Sequence, residues 1–413
     1  MEEKRGRIHL DIRNFVRGIA TGLVVAPVIT LYSFLISWAN EYNREHRILI
    51  LLLPFGAAII LFLFRTYKSD VKNIISYAID RIHDAEDLRD AEDGKIVSIK
   101  MAFLSFFSAF LSHLLGASVG KEGSGVQIAV VISEKISCLE KRFFEGTRRD
   151  YYFMAGFSSA FSALFLSPVA GTLFGAHLAS PRLNRMDGFL ICLTSSYTSY
   201  FVASALGIHI IEIPAFTPLA FTLDNAVKMF LFALLIGALS RFTCFLMEFF
   251  KIGLNKLYSA NDYLKVIIPA LLVSVISFSI YFITGSFTYN GLSSDLISVS
   301  MTEGTDVVDF FLKFILIILS LQAGFQGGEV VPLLVLGATF SSPFATLLSL
   351  DRSALVALSS VAFLSAGMKL PLVGFALAIE LFGYTEPAIL FLTMLTSFLA
   401  SGKSGIYDHQ NVR

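Results

Sequence analysis

Gly120-Lys121-Glu122-Gly123-Ser124-Gly125-Val126-Gln127 sets a lysine and a glutamate between two runs that contain no Asp, Glu, Lys or Arg, Met101–Gly120 before it and Gly123–Ser133 after it. An ionisable group at such depth in apolar sequence is costly to desolvate and faces a cavity or a partner. Glycines at 116, 120, 123 and 125 leave backbone amides accessible and let the chain turn tightly. A helix that starts here directs N–H groups and the positive end of its dipole into the protein interior, which makes an anion site. A carboxylate beside that site can occupy it as a tethered competing anion. Protonation would release the carboxylate and admit the solute, so anion and proton occupancy are linked. The competing reading pairs Glu122 with Lys121 at a water boundary as a helix anchor, and the glycine context alone does not separate the two.

The surrounding composition fixes the solvent of this site. Of 413 residues, 55% are hydrophobic and 15% charged, with 40 phenylalanines and a mean hydropathy of +0.71. Soluble domains carry about 25% charged residues, so the outer surface of this chain faces lipid. That excludes a cytosolic enzyme, a secreted disulfide scaffold and a nucleic-acid binder. Basic and acidic residues both number 32, and no net field recruits a polyanion. Cys138, Cys192 and Cys244 are far apart and give neither a disulfide framework nor a metal cluster. The uncharged runs Ile48–Phe64, Tyr151–Pro181, Gly188–Ile211, Val266–Ser294 and Val330–Leu350 are often too short or too long for one span of about 20 residues. Tyr151–Pro181 reads as two segments broken before Pro168, and Pro54, Gly56, Pro332, Gly337 and Pro343 interrupt others. Such breaks are tolerated in a membrane only where protein or a water-filled cavity takes up the freed backbone groups. The pattern belongs to a transporter or channel. No cleavable signal is read at the amino terminus, whose basic residues weakly place it in the cytoplasm. The polar segment Asp80–Lys95 reads as a solvated loop. Trp38 and Tyr42 suit an interfacial belt, His113 and His177 read as satisfied interior histidines, Lys369 as a snorkelling lysine and Glu380 as a helix-packing residue.

Two stretches repeat each other. Leu166-Ser-Pro168-Val-Ala-Gly171 and Lys369-Leu-Pro371-Leu-Val-Gly374 each open an apolar helix with a proline suited to a first turn. Upstream of each lies a glutamate beside glycine, Glu122 and Glu329. The glutamates are 207 residues apart and the prolines 203, about half the chain. Along the sequence the charges nearest to Glu329 are Lys313 and Asp351, which makes it a second functional candidate. Duplicated halves with matching breaks predict an inverted-repeat transporter with its site near mid-membrane. The expected fold is an all-α polytopic membrane protein of many tilted, broken helices. Its parts are a cytoplasmic segment over 1–11, a first repeat over 12–211, a connecting loop over 212–224, and a second repeat with a short C-terminal segment over 225–413.

With these residues in hand, the chain resembles the CLC family of anion channels and proton-coupled anion antiporters. The family motif G-[K/R]-E-G-P-x-V-Q is matched by Gly120–Gln127, and G-x-F-x-P by Gly328-Glu329-Val330-Val331-Pro332. Pro168, Pro371 and the polar C-terminal segment with Tyr407 fit as well. Ser124 replaces the motif proline and Val330 the phenylalanine, while Glu329 stands where chloride-type members carry an apolar residue. The G-S-G-I-P motif is absent, its region being about Tyr67–Ile75, which includes Asn73. These departures are similar to the fluoride-exporting branch, although Val331 stands where that branch often has threonine. The resemblance implies a homodimeric fluoride/proton antiporter of the cell membrane with no cofactor, neither enzyme nor nucleic-acid binder. It implies Glu122 as gate and Glu329 as second proton-transfer or anion-coordinating group. The anion contacts it implies are Gly120, Lys121, Gly123, Ser124, Gly328, Val330, Val331, Asn73 and Tyr407. The internal proton glutamate of chloride antiporters would fall near His177 or Leu178, neither a carboxylate, which leaves Glu329 for that task. Apolar faces of Gly188–Ile211 and Pro387–Ala400 are candidates for the subunit contact. The rivals are a chloride/proton antiporter or passive chloride channel of the same fold, a sodium-coupled symporter and, remotely, an intramembrane serine protease built on Gly402-Lys-Ser404-Gly405 and His409.

Overall fold

With no water in the hydrocarbon core to satisfy backbone groups, a chain this apolar can cross a membrane only as helices or as a closed barrel. The computed structural model describes residues 2–67, 74–86, 97–144, 148–178, 186–208, 210–257, 261–403 and 405–406. Among these residues there are seventeen α-helices, one 3₁₀ segment and no strand. The first half runs α1 (Glu2–Glu45), the 3₁₀ segment (Arg47–Leu52), α2 (Leu53–Thr66), α3 (Ile74–Glu86), α4 (Ile99–Leu114), α5 (Glu122–Glu140), α6 (Arg149–Phe165), α7 (Pro168–His177) and α8 (Met186–Ala205). The second runs α9 (Leu223–Leu257), α10 (Asp262–Thr284), α11 (Asp295–Thr302), α12 (Val307–Gln322), α13 (Val330–Ser341), α14 (Phe344–Leu348), α15 (Arg352–Met368), α16 (Pro371–Glu380) and α17 (Pro387–Ala400). Among the described residues four stretches are long and apolar enough to span, Ile12–Glu45, Arg47–Thr66, Leu223–Phe250 and Asp262–Thr284, two in each half. The protein is a multi-pass membrane protein.

The two halves share their breaks down to single dihedral angles. After α6 the chain turns through Leu166 (φ 50°) and Ser167 (φ −122°) into Pro168. After α15 it turns through Lys369 (φ 60°) and Leu370 (φ −124°) into Pro371. Proline cannot donate a backbone bond and holds the preceding residue extended, so each helix stops and the next starts at a new angle. The expected break before Pro168 is found. Packing repeats as well: α6 lies against α7 and α8 as α15 lies against α16 and α17, and α1 against α8 as α9 against α17. At the first of the latter contacts, a Cβ on Gly22 would lie 2.7 Å from Ser195 O, and one on Gly18 would run into Thr194. Small residues four apart bring these two backbones together.

Three expectations are corrected. Asp80–Lys95 is not a loop throughout, because its first seven residues belong to α3; residues 87–96 lie outside the described residues. Ile74, Ile75, Ala78, Ile79 and Ile82 are buried at helical spacing, and Asp80, Arg81 and His83 beside them are only half-buried. Lys369 does not snorkel. It is 3% exposed, and its Nζ donates to Ser401 O (3.0 Å) and Ser401 Oγ (2.6 Å). The glutamates are not equivalent in the repeat. The N-cap of α5 is Lys121 (φ −97°, ψ −13°) and that of α13 is Glu329 (φ −98°, ψ −11°). Glu329 is therefore the mate of Lys121, Glu122 of Val330, Ser124 of Pro332 and Gly120 of Gly328.

Candidate functional site

The mates Gly120 and Gly328 pair with each other. Gly120 N donates to Gly328 O at 3.0 Å and Gly328 N to Gly120 O at 2.8 Å, the one isolated bridge among the described residues. The approach depends on glycine. A Cβ on Gly120 would lie 2.7 Å from Gly328 O and 2.9 Å from Pro332 Cδ, and one on Gly123 would meet Gly328 Cα at 3.0 Å and Gly327 O closer still. The bridge joins the starts of α5 and α13, one from each half. Helix geometry leaves the first amides without an i−4 acceptor: Glu122, Gly123 and Ser124 on α5, Val330 and Val331 on α13, where Pro332 has no N–H to offer. Two positive dipole ends thus converge on one glycine pair.

Glu122 is 1% exposed and its carboxylate lies in this convergence. It interacts with the backbone amides of Glu122, Lys121 and Val331, so it reaches both helix starts. Neither carboxylate oxygen completes a hydrogen bond of good geometry. Ser124 Oγ, fully buried, likewise completes no hydrogen bond of good geometry, although it lies near the Tyr32 hydroxyl. Unsatisfied buried polar atoms are rare, and each asks for a reason. A cluster of them at paired helix N-termini is what an exchangeable anion would explain. Lys121 does not form an ion pair with Glu122. Its Nζ donates to Ser33 Oγ on α1 at 2.7 Å, and its carbonyl accepts from the Tyr32 hydroxyl at 2.6 Å. The helix-anchor reading of Glu122 lacks its partner. Glu329 is half-buried at the N-cap of α13, where its carbonyl accepts from Leu333 N at 2.9 Å.

The structure brings Gly120, Glu122, Gly123, Ser124, Gly328, Val330 and Val331 to one place, with Lys121 and Glu329 at its edge. Asn73 and Tyr407 lie outside the described residues, as do Ser404 and His409. His113 contradicts its sequence reading. Fully buried on the last turn of α4, it has both ring nitrogens without a hydrogen-bond partner, although it lies against the Gly120 backbone and within electrostatic reach of Lys121 and Lys313. Tyr32, which holds the Lys121 carbonyl, and Lys313 were not legible as part of this neighbourhood, since their partners come from distant sequence. His177 reads correctly, its Nδ1 lying 2.9 Å from Leu173 O. Glu380 packs helices, accepting Val169 N and Ala170 N, each at 2.8 Å, and so caps α7 from the end of α16.

A family profile described as voltage gated chloride channel matches residues 56–405. A chloride/fluoride channel protein of Pseudomonas syringae pv. tomato is 25% identical over 398 residues, which are 94% of this chain and 84% of that protein. The crystal structure of a CLC-type fluoride/proton antiporter superposes with a TM-score of 0.83 at 22% identity, covering 97% of this chain and 98% of that one. The structure of a slow cyanobacterial Cl⁻/H⁺ antiporter superposes at 0.78 with 14% identity, covering 94% of each. These two likenesses concern the fold. The profile match extends over both glycine motifs and both proline-initiated helices, and the chain belongs to the CLC family.

Proposed function

We propose that the protein exchanges fluoride for protons and so exports fluoride from the cell. The observation that carries this reading is the Glu122 carboxylate, buried between two helix starts and within reach of the amides of both. It stands where a free anion would be held, so anion entry requires it to leave, and protonation removes the charge that keeps it there. A proton is thereby exchanged against an anion at one site. Glu329, at the N-cap of α13 beside the same glycine bridge, is the second proton carrier. Fluoride is small and strongly hydrated, and stripping its water takes several donors. The amides of Glu122, Gly123, Ser124, Val330 and Val331 offer five, and a protonated glutamate another. The chloride/fluoride channel protein of Pseudomonas and the fluoride/proton antiporter of the same fold support fluoride as cargo.

The protein works as a homodimer with one pathway per subunit. Phe391, Leu395 and Leu399 on α17 and Phe201 on α8 leave large apolar side chains at the surface, and α7 and α16 lie against each other between those helices. Dual-electrode efflux from proteoliposomes loaded with potassium fluoride or potassium chloride tests the activity. Fluoride release with proton uptake and little chloride release supports it. Chloride release as fast as fluoride release assigns the protein to chloride transport and removes the reason for Glu329.

A further inference from the structure

Lys313 lies in the middle of α12 and is wholly buried. Its Nζ has four oxygen neighbours from two parts of the chain: Ser118 Oγ at 2.8 Å, and Ser293 Oγ at 3.0 Å, Tyr289 O at 3.1 Å and Gly291 O at 3.2 Å. The two hydroxyl hydrogens are already committed, Ser118 Oγ donating to Tyr289 O at 3.0 Å and Ser293 Oγ to Asn290 O at 3.0 Å. All four neighbours therefore present lone pairs to the nitrogen. A neutral amine would set its own lone pair against them, whereas an ammonium offers three N–H donors and satisfies the cage. The geometry favours the charged form.

A buried charge needs a counter-charge, and its absence costs several kcal/mol. No carboxylate among the described residues makes an ion pair with Lys313. Asp309, one turn earlier on the same helix, is taken by the Tyr289 hydroxyl and by Asp306 N (2.6 Å). Asp295 is paired with Arg44. The cage instead leads to the glycine bridge. Ser118 is two residues before Gly120, and its N–H is fixed by Ser320 Oγ of α12 at 2.9 Å. Consecutive Cα atoms are about 3.8 Å apart, so the ammonium lies within about 13 Å of Gly120. Its field reaches this turn, since His113 against the Gly120 backbone interacts with both Lys313 and Lys121.

We propose that Lys313 is a fixed positive charge whose counter-ion is whatever anion occupies the bridge site, the Glu122 carboxylate when the gate is shut and the transported anion when it is open. Lys313 touches neither; it is a positioning residue that sets anion affinity through space. The proposal rests on the reading of the glycine bridge as an anion site.

The test is the half-saturating anion concentration for efflux from proteoliposomes. A unit charge at this distance and an effective dielectric constant of about 20 changes anion affinity about tenfold. Lys313→Gln, which keeps donors and loses the charge, raises half-saturating fluoride by about that factor. Ser293→Asp does the same by the opposite route, supplying the missing carboxylate while adding a bond to the cage. Half-saturation left unchanged by Ser293→Asp in a folded variant overturns the proposal even where Lys313→Gln does not fold. Wild type is measured first with both halides. If it carries chloride and not fluoride, the fluoride reading fails, and the same two shifts are then read with chloride.

Discussion

Gly328→Ala tests whether the glycine bridge sets the site, and its cost can be worked from the backbone. The added methyl would lie 2.9 Å from both Glu122 N and Glu122 Oε2, and nearer still to Gly123 N. Real side chains do not sit that close, and two of the obstructing atoms are backbone, so the start of α13 must move off the start of α5. Overpacking of this kind costs about 1–3 kcal/mol. The two bridge hydrogen bonds, 3.0 and 2.8 Å, add about 1 kcal/mol each when broken. The expected loss is about 3–5 kcal/mol, a large part of the margin of a marginally stable protein, and it appears as a lower melting temperature in detergent. Activity falls further than stability. Displacing a site by about 1 Å costs about a hundredfold in rate, and here the displacement separates the two sets of amides. The assay is anion efflux per folded protein, beside thermal unfolding of the same preparation. Gly253→Ala in α9 is the control, because a Cβ there meets nothing within 4 Å and a helical glycine gains up to about 1 kcal/mol from alanine. Wild-type efflux and melting in Gly328→Ala would refute the bridge as the element that joins the two helix starts.

Glu122→Ala removes the carboxylate proposed as the gate; anion flow should become insensitive to pH and uncoupled from protons, whereas wild-type transport should rise as pH falls if the protonated form is the one that leaves. Proton movement that persists unchanged in Glu122→Ala, read by external pH during efflux, counts against the gate. Glu329→Gln keeps shape and removes the titrating group, so proton uptake should fall by more than about tenfold while the melting temperature holds. Glu380→Ala uncaps α7 by removing the acceptor of Val169 N and Ala170 N; the loss of about 1–2 kcal/mol should lower the melting temperature, and an unchanged value would make the cap irrelevant.

Helix breaks were legible in the sequence because proline acts locally: Pro168 and Pro371 fix their own φ and that of the neighbour whatever surrounds them. The start of α5 was legible for a related reason, since glycines flanking one buried glutamate have few uses. What needed tertiary structure stayed hidden. The register of the repeat depends on which residue is the N-cap, and aligning glutamate with glutamate placed it one residue off. Whether a buried histidine is satisfied depends on what the rest of the fold brings to its nitrogens, and at His113 it brings none. Lys313 was visible only as a nearby charge. Its cage draws on Ser118 and on a turn between α10 and α11, segments 171 residues apart where Ser118 bonds Tyr289.

The corrected register locates the chemistry in the differences between halves. Gly120 and Gly328 are mates and pair with each other, so the bridge lies on the symmetry relation and either half could have built it. A symmetric pair of helix starts would hold an anion equally from both sides and give it no reason to exchange for a proton. The sequence breaks that equivalence at three places. Lys121 faces Glu329 across the relation, and its ammonium is committed to Ser33 on α1. Glu122 faces Val330, so the carboxylate that lies between the two helix starts comes from α5, while Glu329 stands one residue earlier, at the N-cap of α13. Ser124 faces Pro332, so α5 retains an amide that α13 lacks. The larger set of free amides therefore belongs to the helix that bears Glu122, while α13 opens on Glu329 at its N-cap and continues apolar through Val330, Val331 and Pro332. On the proposed mechanism, a displaced Glu122 carboxylate would leave behind the helix end with the larger set of free amides.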